Sequence, residues 1–451
     1  MKLSWLRVLP PSLQARLEGR LLLQRLITNT GFLIIDRVIR LSFGLAVGIW
    51  LARYLGPEQF GLYNYALAYV SLFGAIASLG LDSIVVRDLV REPAVSAEAL
   101  GTAFVLKLAA SSATVWVMSF ALFLLQPTDG ALHSIVLIFG FALVLQAFDT
   151  IDFWFQAQIK SGSVVIVRNA AFVLMVMVKI GLIYWQAPLE AFVWAYTAEV
   201  ALSAVGLLIV YQLHRQPLSA WRFRFARAKQ MIRDAWPLAL SGVAVMIYMR
   251  IDQIMLGRWL GNEAVGQYAA ATRLVEVWYF IPTTIYSSVL PAIVAGKALG
   301  EAEYRKRLQR LFDLMAILAI AITVPTFALA GPLMQLLYGN DYSPSGPILA
   351  VLSLSLIFIF FGLAQSTWEV AEGYTQFGLW KRLAGAIVNI LLNLWLLPLY
   401  GGLGAAIATV FSYAVAASLA NVFYRQSWLV LKLQLSALML VKHLRSSRQP
   451  G

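Results

Sequence analysis

Few side chains in this 451-residue chain could do chemistry, and most of those are charges set inside apolar runs. Arg37 and Arg40 stand three apart, on neighbouring positions of one helical face. Arg250 and Asp252 interrupt the run MIYMRIDQIML, and Arg273 lies one turn before Glu276. Lys107 and Lys179 are each embedded in hydrophobic sequence, while Asp149 and Asp152 share a face with Gln156. A charge in hydrocarbon must be paired, solvated or put to use. The planar fork of arginine can hold a phosphate through two hydrogen bonds, and lysine offers a point charge. An acid among Asp149, Asp152 and Asp252 could carry a coupling proton or Na⁺. The plain alternative is mutual neutralisation. Asp36 adjoins Arg37, Glu276 is placed to pair with Arg273, Asp82 and Asp88 flank Arg87, and Glu199 and Glu369 add further acids. Neither thiol catalysis nor a Cys-ligated metal is possible. Cysteine is absent, and His133, His214 and His443 are too far apart in sequence for a zinc-type cluster. No cofactor or metal follows from these residues.

The elements that carry these charges are membrane helices. Hydrophobic residues make up 60% of the chain and charged residues 13%, too little charge to cover a soluble protein of this size. Long apolar blocks predict an all-α polytopic membrane protein with about twelve spans. They fall near 28–52, 62–86, 100–125, 131–155, 164–185, 190–213, 236–257, 267–294, 311–337, 346–371, 379–398 and 402–424. Breakers such as Gly56 and Pro57, Pro127, Pro188, Gly261, Pro344 and Gly401 mark the joints. Of the 35 Lys and Arg residues, 26 fall on the side of the N-terminus, two on the other side, and seven within spans. That asymmetry predicts cytoplasmic termini in a cytoplasmic (inner) membrane. It also accounts for the net charge of +13 without nucleic acid as a partner. The predicted organisation is an amphipathic cytoplasmic segment at 1–27, a first lobe at 28–213, a basic linker at 214–235, a second lobe at 236–424 and a basic amphipathic tail at 425–451. The linker and tail are expected to lie on the membrane surface.

An internal repeat supports two lobes. At an offset of 205, RYLGPEQFGLY (Arg53–Tyr63) aligns with RWLGNEAVGQY (Arg258–Tyr268), matching Arg, Leu, Gly, Glu, Gly and Tyr. A weaker echo at an offset of 214 aligns Trp154, Ala157 and Arg168 with Trp368, Ala371 and Arg382. Glycine permits the reversal, the glutamate suits a helix start, and the tyrosine is expected at the membrane interface. Two sets of six spans in the same topology give a parallel repeat, an arrangement of secondary transporters with the site between the halves.

The chain resembles bacterial polysaccharide flippases, the oligosaccharide-lipid translocases of the multidrug/oligosaccharidyl-lipid/polysaccharide exporter superfamily. The carrying residues are Arg37 and Arg40 in the first span, ARYLGPEQFGLYNYA (Ala52–Ala66), RIDQIMLGRWLGNEAVGQYAAATRL (Arg250–Leu274) and LPLYGGLGAAIAT (Leu397–Thr409). The resemblance runs from about residue 28 to 425. It implies a V-shaped, two-lobed transporter that is not an enzyme. The implied activity is flipping of undecaprenyl-diphosphate-linked oligosaccharide to the outer leaflet by alternating access, for lipopolysaccharide or exopolysaccharide synthesis. On that reading Arg37, Arg40, Arg250, Arg273, Lys107 and Lys179 bind the diphosphate-sugar head, with H⁺ or Na⁺ coupling through Asp149, Asp152 or Asp252. Two other functions compete. A drug or cation antiporter of the same superfamily would share the architecture, but cations in several spans suit an anion better. A glycan polymerase or ligase would need a sizeable outer loop, and every predicted outer loop is short.

Overall fold

A computed structural model describes the backbone of residues 21–446 and the side chains of residues 40–439. The described residues are entirely helical, with no strand. The N-terminal half comprises α1 (Leu21–Ala77), α2 (Leu81–Arg91), α3 (Ser96–Leu125), α4 (Gly130–Leu145), α5 (Thr150–Ala157), α6 (Ser161–Tyr184) and α7 (Leu189–Leu213). The C-terminal half comprises α8 (Phe225–Leu260), α9 (Asn262–Glu276), α10 (Phe280–Lys297), α11 (Glu301–Ala328) and α12 (Ala330–Tyr338), followed by α13 (Ser345–Ser353), α14 (Ser355–Glu372), α15 (Thr375–Ala417) and α16 (Trp428–Ser446). Most of the expected N-terminal amphipathic segment lies outside the described residues.

Ten runs among the described residues are long and apolar enough to cross a membrane, against the twelve spans expected. The two longest are Arg40–Arg91, with 52 residues, and Thr375–Phe423, with 49. A straight helix of that length would measure roughly 75 Å, more than twice the hydrocarbon thickness of about 30 Å. Each is broken at a glycine with positive φ: Gly56 (φ 69°) within α1 and Gly401 (φ 56°) within α15. These joints need no loop residues, which is why each run is continuous by length yet divided by backbone.

Gly56 and Gly261 share the same unusual conformation, with φ/ψ of 69°/171° and 85°/178°. Downstream of each, the repeated segments pack on each other. A Cβ on Gly61 would overlap the carbonyl of Asn262, and a Cβ on Gly266 would overlap the carbonyl of Pro57. Pro57 and Asn262 occupy matched places in the repeat, so the contact is reciprocal. Around it α1 packs chiefly against α9 and α8, and Leu51, Phe60 and Tyr63 share one core with Leu256, Val265 and Tyr268. Tyr63 and Tyr268 are buried and not at the membrane interface as expected: Tyr63 packs edge-on against Phe139, and Tyr268 donates to Asp252.

At the far end of α8 the halves meet through charge. The expected linker is helical from Phe225 onward. Arg227 pairs with Asp88 (3.4 Å) and Glu92 (3.0 Å), Arg224 with Glu98 (3.3 Å), and Asp234 with Arg87 (2.7 Å). Two linker arginines expected at the lipid surface, Arg224 and Arg227, thus join Asp234 in holding the linker on α2 and α3. The tail likewise docks on protein. Val430 and Ala437 of α16 are buried, and Gln434 donates to the Ala417 carbonyl at 2.9 Å.

Candidate functional site

Between the halves lies a cavity of about 60 Å³. Asn64 lines it from α1, Arg250 and Gln253 from α8, and Thr272, Arg273 and Glu276 from α9. Arg250 and Arg273 belong to different helices, and one helical turn separates Arg273 from Glu276. Sequence spacing paired those last two. In the structure Glu276 instead reaches Arg250, at 3.2 Å. Arg273 extends toward α1, where its guanidinium lies 5.8 Å from the Phe60 ring centroid. It lies directly over Gly48, where a Cβ would meet Arg273 Nη1 and make the guanidinium shift. Arg273 Nη1 and Thr272 Oγ1 are both buried without a hydrogen-bond partner among the described residues. Two arginines against one glutamate leave the lining with one excess positive charge. Orphaned buried donors beside a surplus cation form a site for an anion or for water.

The other intramembrane cations are paired. Glu199 on α7 meets Lys179 at 3.2 Å and Arg40 at 3.7 Å, and Arg40 also lies over the Phe172 ring. Lys107 pairs with Asp82 at 3.3 Å and lies over Phe153. Arg168 holds both Asp149 (2.8 Å) and Asp152 (3.2 Å), so those two acids share a counter-ion on α6. The side chain of Arg37 lies outside the described residues.

Asp252 is different. It is buried, no cation stands within salt-bridge distance among the described residues, and neutral donors surround it. Thr409 Oγ1 and Asn393 Nδ2 donate to it, each at 2.6 Å, and Tyr268 Oη donates at 2.8 Å. Asn393 Oδ1 is buried without a partner, and the Nδ2 of Asn393 also faces the Asn389 carbonyl at 2.9 Å. Three neutral donors thus meet one carboxylate where α8, α9 and α15 come together.

Comparison with known proteins gives this arrangement a context. The family described as Polysaccharide biosynthesis protein matches residues 50–347, two thirds of the chain. The chain belongs to that family. It is similar to "Probable flippase AglR" of Haloferax volcanii, at 28% identity over 54% of this chain and 51% of the relative. It is also similar to "Putative O-antigen transporter" of Shigella dysenteriae, at 25% identity over 57% of this chain and 64% of the relative. The matched region therefore spans about half to two thirds of these relatives. In fold it resembles "Lipid II flippase MurJ, inward closed conformation", with a TM-score of 0.70, 14% identity and 94% of each chain covered.

Within this chain the inter-half cavity gathers Arg250 and Arg273 and leaves the paired cations of the first half elsewhere. Sequence reasoning missed Thr272, Asn389 and Asn393, which are polar residues without charge. It read Tyr268 as an interfacial anchor. One signal was available. Asn389 and Asn393 stand four apart in an apolar run, one turn of the same helical face, where amides need partners.

Proposed function

We propose that this multi-pass membrane protein flips undecaprenyl-diphosphate-linked oligosaccharide from the cytoplasmic to the outer leaflet by alternating access. One observation carries the reading: the orphaned guanidinium of Arg273, with Arg250 beside it, in a cavity formed by both halves. Burying an unpaired diphosphate in hydrocarbon is prohibitive, so a carrier must supply donors between its halves. The names of the flippase and O-antigen-transporter relatives support the same substrate class. The cavity, at about 60 Å³, has room for only about two waters, so a sugar-diphosphate head requires the halves to part. Arg273 and Arg250 then receive the phosphates, and Asn64 and Gln253 offer hydrogen bonds to the sugars. Arg37, Arg40, Lys107 and Lys179 would line the route, with exchange of their carboxylate partners as the head passes. Asp252 is the acid we assign to H⁺ or Na⁺ coupling, because Asp149 and Asp152 already share Arg168. Binding of that ion must differ in affinity between the two states to drive transport. The surplus positive charge at the cavity disfavours an organic-cation antiporter.

The test is complementation of bacteria lacking their own glycan flippase. Wild type should restore surface glycan for at least one glycan type, and Arg273→Ala should abolish it at equal protein level, with Arg273→Lys intermediate. Failure across several glycan types despite normal membrane insertion would overturn the reading.

A further inference from the structure

Inside the C-terminal half, away from the inter-half cavity, is a cleft of about 360 Å³ between α8, α10, α14 and α15. One face of α14 sets its character. Ile359, Gly362, Leu363, Ser366 and Glu369 follow each other at helical spacing, apolar first and charged last, over about 15 Å of helix. Val245 and Met249 of α8 complete the apolar wall. At the deep side Tyr248, Tyr279 and Tyr413 stand between this cleft and the small cavity at Asp252, since they line both.

All the ionic groups of the cleft gather at the charged end. Lys381 Nζ meets Glu369 at 2.5 Å, and both side chains are almost fully buried. That pair is self-contained. Arg382 reaches the same carboxylate only at 3.7 Å and keeps 40% of its side chain exposed. One glutamate against two cations leaves a single positive charge, and Arg382 is the group free to use it. The apolar stretch offers too few polar partners to hold ordered water. The occupant therefore has a hydrocarbon part and an anionic part, and the bilayer supplies such molecules.

We propose that this cleft is a lipid-binding site, taking one hydrocarbon chain along α14 with its anionic phosphate head at Arg382. The site does not depend on the transport reading. The phosphate could belong to an anionic phospholipid of the bilayer or to a polyprenyl phosphate.

The full chain in nanodiscs is exposed to three lipids bearing the same chain diazirine: phosphatidylglycerol, the uncharged diacylglycerol and a polyprenyl phosphate. Adducts after irradiation are mapped by mass spectrometry. Adducts are expected on Phe358, Ile359 and Leu363, with either phosphate head favoured over diacylglycerol by about tenfold, the worth of one charge-assisted hydrogen bond. Arg382→Gln should erase that preference while leaving the thermal transition in place. Gly362→Leu, which projects a side chain where the glycine Cβ would be in ordinary contact with Ala417, should remove the adducts altogether. Stronger labelling by polyprenyl phosphate assigns the site to that lipid, and stronger labelling by phosphatidylglycerol assigns it to bulk phospholipid. Equal labelling by diacylglycerol and phosphatidylglycerol, or a preference unchanged in Arg382→Gln, would overturn the proposal even if Gly362→Leu fails to fold.

Discussion

The two ends of α8 join the same two halves by opposite means. At Gly261 the contact is backbone on backbone, Gly61 against Asn262 and Gly266 against Pro57, with no room for one added carbon. About 40 Å away along the helix, the contact at Asp234 and Arg227 consists of ion pairs with Arg87, Asp88 and Glu92. The first depends on volume and is indifferent to salt. The second is soft, because the Arg87 and Asp234 side chains each keep about a third of their surface exposed. Exposed pairs of this kind contribute about 1 kcal/mol or less and weaken with ionic strength. A carrier that opens its ends alternately would use one stiff joint and one adjustable clasp in this way.

Four measurements would break or sharpen the contrast. The chain has no cysteine, so a single Thr272→Cys in the inter-half cavity reports access from either side of the membrane by impermeant maleimide. The largest effect is expected from Gly61→Val or Gly266→Val, because neither backbone carbonyl opposite can yield. Overpacking of about 3 kcal/mol should raise labelling from the Gly261 side more than tenfold. Unchanged labelling there would dismiss the stiff joint. Next comes Arg227→Gln, which removes a mostly buried guanidinium from two carboxylates. It should open the other side by about 1–2 kcal/mol, and labelling confined to the Gly261 side would contradict it. Tyr342→Phe deletes the hydrogen bond that its hydroxyl donates to the Ala52 carbonyl at 2.9 Å across the halves. A loss of about 1 kcal/mol should appear as modest labelling from the Gly261 side and a lower melting temperature. The smallest effect is that of salt. Going from low to physiological ionic strength should raise access at the Asp234 end by a few tenths of a kcal/mol and leave the Gly261 end unchanged. Equal salt responses at both ends would erase the distinction.

The repeated RxLG-E--G-Y segment was legible as a duplicated turn, yet its most useful property was not. That Gly61 and Gly266 touch the opposite copy depends on how the halves meet, and spacing within one copy carries no information about the other. The same limit explains the arginines. Helical spacing paired Glu276 with Arg273, three residues apart, but Glu276 turns to Arg250 because α8 and α9 run side by side. Arg40, Lys107 and Lys179 stood out in sequence as lone charges. Their partners, Glu199 and Asp82, lie 20 or more residues away, so the pairing was invisible until the helices packed. Linker and tail were read by composition as surface elements. Composition cannot tell a basic face that meets lipid phosphate from one that meets Asp88, Glu92 and Glu98.

By itself the sequence determined the membrane class, the positions of most helices and the inventory of charges that need a reason to be in hydrocarbon. Those are local properties: burial cost, helical period and glycine's access to positive φ are set residue by residue. Tertiary structure alone decided which charges are spent on one another and which are left over. Arg273 keeps an unsatisfied donor, Asp252 sits among neutral donors and Arg382 is the surplus cation of its triad, because pairing is a matter of distance in space between packed helices.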